Sequence, residues 1–102
     1  MVYMVVTTYR IKRQYRDEFL AAQPKIERAA LDLGCLWYEC YEDDDVRNRF
    51  CEMMAFDSWT HYERVRRIPP TNEITAIFKA MDEWVEGGDS GMLVEHWKSA
   101  SD

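Results

Sequence analysis

The sequence predicts an α+β domain of the ferredoxin-like split βαβ class, with one four-stranded antiparallel sheet and helices on one face. Three observations carry that prediction. Apolar residues switch between strand-like grouping and helical period in the order β-α-β-β-α-(α)-β. The two middle strand segments are separated only by a short acidic turn, which makes them an antiparallel hairpin. The 102 residues contain no repeat, linker or low-complexity tract, so residues 1–102 form a single domain.

The first segment, Val2 to Tyr9, is rich in Val, Thr and Tyr and reads as a strand. The period then changes. Tyr15, Phe19, Ala22, Ile26, Ala29, Ala30 and Leu33 recur at spacings of three and four, which is one apolar stripe on a long helix. Pro24 lies inside that stripe and is expected to kink or split the helix. Gly34 suits the left-handed residue that ends it. Cys35 to Glu42 is the second strand, and Asp43-Asp44-Asp45 is a solvated turn. Arg49 to Phe56 is the third strand. Asp57 or Ser58 caps a short helix from Trp59 to about Arg67, and Pro69-Pro70 stops it. Thr71 or Asn72 caps a further helix that buries Ile74, Ile77, Phe78, Met81, Trp84 and Val85. Gly87, Gly88 and Gly91 make a flexible break before the last strand, Met92 to Trp97, and the final residues are expected to fray.

A sheet covered on one face should alternate apolar and polar residues. These strands do not alternate. Val2-Tyr3-Met4-Val5-Val6, Leu36-Trp37-Tyr38 and Met53-Met54-Ala55-Phe56 run without a polar break. Both faces therefore want cover, and the helices supply only one. A second copy of the chain is the simplest cover for the other, so a homodimer is expected.

Composition narrows the function. The chain carries 13 Lys+Arg against 19 Asp+Glu, a net charge of −6, which argues against tracking nucleic-acid phosphates. No apolar run approaches the length of a membrane span, and the N-terminus lacks the basic start of a signal peptide. The three cysteines, Cys35, Cys40 and Cys51, form no CxxC and sit in strand-like runs. They read as reduced thiols of a cytoplasmic protein, buried as small hydrophobes. Two distant histidines make no zinc motif, and no glycine-rich phosphate loop opens a helix. Neither a metal nor another cofactor is expected.

The order of short motifs resembles the dimeric α+β barrel superfamily, in particular its antibiotic biosynthesis monooxygenase type. Tyr9-Arg10-Ile11-Lys12 leads by a polar turn to Asp17-Glu18-Phe19 on the first helix. Gly34-Cys35-Leu36 opens the second strand and continues as Trp37-Tyr38-Glu39. Arg49-Phe50 begins the third strand, which runs to Ala55, and Phe56-Asp57-Ser58 begins the short helix. The match covers about nine-tenths of the chain by order of elements, and each motif alone is weak. It implies a dimeric barrel with a ligand cavity between sheet and helices of each protomer. The type includes cofactor-independent oxygenases of phenolic substrates, haem-degrading oxygenases and an isomerase, so no one reaction follows from it. The chain also departs from the pattern. Phe56 stands at the place of the oxygenases' strand-end Trp, Thr7 at that of the haem-degraders' Asn, and Val65 near that of a common His. No histidine occurs from Val65 to Ile77, which disfavours haem degradation.

In the register this resemblance implies, Thr7 and Phe56 face the cavity, and Phe50, Glu52 and Met54 share the side of Phe56. A carboxylate among Phe and Met has a raised pKa and suits a general acid or base, unless Arg or backbone groups pair with it. Both readings of Glu52 stand open. His96 either points into the cavity as a proton acceptor or is a satisfied histidine of the sheet surface. His61 either lines the cavity mouth or is solvated on the short helix. Tyr38 joins Thr7 as a polar anchor. Arg64, Arg66 and Arg67 either dock an anionic group or form a solvated helix face paired with acids. The expected function is cofactor-independent oxygenation of a small aromatic, phenolic or quinol compound. Glu52 or His96 is its base, and Thr7, Tyr38, Phe50, Met54, Phe56 and His61 contact the substrate. The alternative is a non-catalytic small-molecule-binding barrel, which the missing histidines favour. An interaction module follows instead if Trp and Met side chains fill the cavity.

Overall fold

In the computed structural model, which describes residues 1–101, the first strand spans Tyr3–Arg10 (β1). A 3-10 turn at Arg13–Tyr15 leads to a helix, Arg16–Asp32 (α1). Strands Trp37–Glu42 (β2) and Arg49–Phe56 (β3) form the hairpin. Helices Trp59–Arg66 (α2) and Asn72–Trp84 (α3) follow, then a 3-10 turn at Gly88–Gly91 and the strand Leu93–Lys98 (β4). All neighbours in the sheet are antiparallel, in the order β2-β3-β1-β4. This is the predicted class, with the predicted order of elements.

The differences are local. Pro24 neither splits nor ends α1. It lies on the exposed side, where water can satisfy the carbonyl that a proline leaves unpaired, while Phe19, Ala22 and Ile26 hold both halves on the sheet. The second strand starts two residues late, because the Cys35 N–H is still bonded to the Ala30 carbonyl at 3.1 Å. Ser58 caps α2, its Oγ accepting from the His61 N–H at 3.1 Å, and Thr71 caps α3 in the same way through Ile74. Phe78 is 54% exposed and not buried. The glycines after α3 form a defined tight turn instead of a flexible break. Gly87 and Gly88 take φ of 80° and 60°, and a Cβ on Gly91 would stand 1.8 Å from the Glu86 carbonyl oxygen. The chain end is tied down as far as Ser99, which exchanges hydrogen bonds with Val2. The expected fraying at Asp102 lies outside the described residues.

Register assigns the two sheet faces. Tyr3, Val5, Thr7 and Tyr9 of β1 pair with Phe56, Met54, Glu52 and Phe50 of β3 and face the helices. At one end Tyr9, Phe19, Phe50, Met81 and Val85 close the core, with the Phe19 and Phe50 rings 4.5 Å apart. At the other end Val5, Cys35 and Phe56 form a smaller cluster. Arg16 locks α1 to the hairpin, donating to both Glu42 carboxylate oxygens at 2.6 and 2.8 Å and to Asn48 Oδ1 at 2.7 Å. Met4, Val6, Met53, Ala55, Trp37 and Trp97 point to the opposite face. None of them belongs to a core cluster under the helices.

Candidate functional site

Between sheet and helices lies a cavity of about 330 Å³. Val5, Glu52, Met54 and Phe56 form its floor. Its walls are Ile26, Ala29, Ala30 and Leu33 from α1, with Tyr62, Val65 and Arg66 from α2. The Ile68–Pro70 connection and Ile74 and Phe78 of α3 close it from above. The space follows from side-chain size. The helix stripe carries Ala29 and Ala30 where Leu or Phe would reach the sheet, which leaves space above Met54 and Phe56. A hollow of about 210 Å³ adjoins it, lined by Thr7, Tyr9, Met81, Asp89 and Met92, and shares Glu52, Ile26 and Phe78 with it. A larger groove of about 490 Å³ lies outside, between α1 and the Pro69–Ile74 segment. Its side chains are mostly exposed ones such as Lys25, Arg28 and Asp32, and it contains no buried ionisable group.

Glu52 stands at the junction of cavity and hollow. Across the sheet it is flanked by Cys40 on β2 and Thr7 on β1, neither of which is a cation. Its carboxyl makes no hydrogen bond or ion pair with the described residues. Burial alone pushes it up to about 7, with no opposite charge to counter the desolvation. The pairing with Arg or backbone that the sequence left open is therefore not made. Cys40 beside it is likewise held neutral, its thiol pushed up to about 12 by burial. A protonatable oxygen pair in an apolar pocket can take a proton from a bound acid and return it.

The other candidates separate. Met54 and Phe56 line the cavity with Glu52, and Thr7 lines the adjoining hollow. Phe50 is on the right face but at the filled end, under Phe19 and the Arg16 guanidinium. Tyr38 is also core. Its hydroxyl donates to Gln23 Oε1 at 2.5 Å, and burial raises its pKa far above the ordinary range. His61 is neither solvated nor at the mouth. It is buried edge-on to Phe56, and its Nδ1 accepts from the Asp57 N–H at 3.0 Å, completing the start of α2. His96 sits on the helix side of edge strand β4, outside the cavity lining. Its Nδ1 shares a hydrogen bond of 2.8 Å with the Tyr3 hydroxyl, and its ring packs on Tyr62. That is the surface alternative for His96.

Among the lining residues that the sequence does not mark as site residues are two aromatic ones, Tyr62 and Phe78. Tyr62 stands one turn before Arg66 and packs on Phe56 at 5.2 Å between ring centres. Helical spacing places Phe78 in the core, and only the gap beneath α3 reveals it as part of the rim. Among the described residues, no group of three His, Cys, Asp or Glu side chains is placed to hold a metal ion. Arg66 and Arg67 both bind Glu63, at 2.7 and 3.4 Å.

This arrangement of sheet and helices recurs in solved structures. A conserved protein from Methanosarcina mazei superposes with a TM-score of 0.78 at 15% identity, over 97% of this chain and 93% of its own. A candidate antibiotic biosynthesis monooxygenase from Nitrosomonas europaea gives 0.78 at 11% identity, over 97% and 90%. SnoaB from Streptomyces nogalater, a cofactor-independent oxygenase, gives 0.77 at 9% identity, over 97% and 93%. No protein-family model matches the chain, and no curated protein matches it in sequence. The class of protein is thus defined by fold alone: a ferredoxin-like α+β domain with one four-stranded antiparallel sheet and a cavity between sheet and helices. Within that class the fold is similar to that of solved structures named antibiotic biosynthesis monooxygenases.

Proposed function

We propose that this protein is a cofactor-independent monooxygenase acting on a small aromatic, phenolic or quinol compound, with Glu52 as its general base. The observation that carries the reading is an unpaired carboxyl in an apolar cavity of about 330 Å³, a volume within the range of about 300–1,000 Å³ that takes small molecules. SnoaB, of like fold, is named a cofactor-independent oxygenase. In the proposed reaction Glu52 takes a proton from a phenol or from the acidic methylene conjugated with it. The electron-rich carbon then bonds to O2, the distal oxygen receives the proton from Glu52, and a hydroperoxide results. Loss of water leaves a carbonyl, so a methylene and O2 become a ketone and H2O, with the substrate as sole reductant. The apolar walls exclude competing water. Met54 and Phe56 contact the ring, and Thr7 offers a hydroxyl from the adjoining hollow.

The working unit in this reading is a cytoplasmic homodimer. The uncovered apolar sheet face supports the second copy. Free thiols at Cys35, Cys40 and Cys51 support a reducing compartment. No helix among the described residues is long and apolar enough to cross a membrane.

The test is O2 uptake with a panel of hydroquinones and anthrone-like phenols, without added metal or flavin. At least one member should be consumed in a protein-dependent way. Glu52→Gln preserves shape and removes the base, and should cut that rate roughly 10²-fold or more. His96→Gln tests the second candidate. Because His96 reaches the cavity only through Tyr62, its loss should change the rate far less. One observation favours a second reading, a binding protein without catalysis: no histidine lines the cavity to share the proton work. A panel member that raises the melting temperature but is never consumed establishes that reading instead.

A further inference from the structure

We propose that the molecule bound in the cavity carries a carboxylate, which docks on Arg66 while its apolar body lies over Met54 and Phe56. This rests on the cavity being a phenol-binding site and adds a second recognition point at its rim. Arg66 is the only Lys or Arg among the residues lining the cavity. Its Nε donates to Glu63 Oε1 at 2.7 Å, and its two Nη atoms have no partner among the described residues. Glu63 thus holds the guanidinium by one edge and leaves the outer fork free. That fork is the one that matches two carboxylate oxygens.

Charge points the same way. Glu63 serves both Arg66 and Arg67, so two guanidinium groups share one carboxylate and one positive charge stays uncompensated. The Glu63 side chain is only 17% exposed, so the clamp that orients Arg66 is partly shielded from water. Apart from Glu52, the other side chains lining the cavity are uncharged. A substrate carboxylate therefore finds one favourable partner and is repelled by Glu52 once Glu52 ionises. The two groups together orient an amphipathic ring, with its acid toward α2 and its neutral hydroxyl toward β3. In a chain of net charge −6, an exposed anion has little reason to approach except at such a place.

The experiment measures binding of four probes: 2-naphthol, 2-naphthoic acid, 6-hydroxy-2-naphthoic acid and the methyl ester of the last. At about pH 6 the free acids are ionised and Glu52 keeps most of its proton. The hydroxy acid should bind wild type roughly tenfold or more tightly than its ester, and salt should shrink that gap. Arg66→Gln should abolish the gap while leaving 2-naphthol unaffected, and Arg66→Lys, which keeps charge but not the fork, should restore part of it. Equal binding of acid and ester, or a gap that survives Arg66→Gln, overturns the proposal. The phenol reading fails separately. If hydroxylated and plain acids bind alike in both wild type and Glu52→Gln, recognition of the hydroxyl falls while docking on Arg66 stands. If none of the probes binds, both are overturned.

Discussion

At Glu52 the energetics of folding and the proposed chemistry meet in one group. Its carboxyl titrates near 7 in the folded chain against about 4.5 ordinarily. Between those values the folded state holds a proton that the unfolded state has released. Its contribution is thus most favourable below about pH 4.5 and is lost as pH rises through about 7. The loss is on the order of 3 kcal/mol at most. Glu52→Gln has no such proton. Urea midpoints of wild type and variant, measured across that window, should diverge steadily in favour of the variant and level off above it. A constant difference would show that the carboxyl is hydrated or paired. His61 behaves otherwise, although the sequence placed it among the candidates. Its Nδ1 accepts a backbone N–H, so it serves the start of α2 and has no lone pair free for a ligand at that nitrogen.

Among the elements, the turn between α3 and β4 is the most tightly specified. The Glu86 N–H donates to the Arg10 carbonyl at 2.9 Å, and Val85 bridges Ile11, so the turn fastens the end of β1. A Cβ at Gly91 would lie 1.8 Å from the Glu86 carbonyl oxygen, and the backbone there must move to admit it. Gly91→Ala should therefore destabilise the fold by about 2 kcal/mol or more in urea titration. At Gly87 a Cβ would meet its nearest atom at 3.3 Å, and the main penalty is the left-handed φ of 80°. Gly87→Ala should lose only about 1 kcal/mol. If the two variants unfold alike, crowding at Gly91 is not what fixes this turn.

At the scale of the whole molecule, the face opposite the helices decides assembly. Trp97 and Leu93 on β4 are 54% and 57% exposed, and Trp37, Met53 and Met4 continue the apolar surface across the sheet. Glu39 and Glu95 interrupt it, and in the proposed homodimer this face is the partner surface. Two chains of 12.2 kDa make about 24 kDa, the mass that light scattering at micromolar concentration should give. Trp97→Asp puts a charge into that face without touching the cavity. It should shift the mass to that of one chain and lower the melting temperature in a concentration-dependent manner. A stable wild-type monomer would leave the apolar outer residues of β1 and β3 without a reason.

The chain order of short apolar runs rich in β-formers and of period-3.6 segments determined the sheet, its hairpin and its helices, because those patterns follow from strand and helix geometry themselves. That the odd-numbered residues of β1 and the even-numbered residues of β3 share one face followed from the register the resemblance implies, since alternation relates residues only within one strand. That made Glu52, Met54 and Phe56 legible as a set. What periodicity does not encode is position along the layer. Phe50 and Met54 lie on the same face of the same strand, yet Phe19 fills the space above one while Ala29 and Ala30 leave it open near the other. The tertiary structure alone placed Tyr38 and Phe50 in the core, turned His61 to its own helix start and left Phe78 on the rim. It also showed Glu52 without a partner. Pairing depends on which long side chains from distant segments reach a given point: Arg16 is committed to Glu42, and Arg66, though it lines the cavity, is held by Glu63 and makes no ion pair with Glu52.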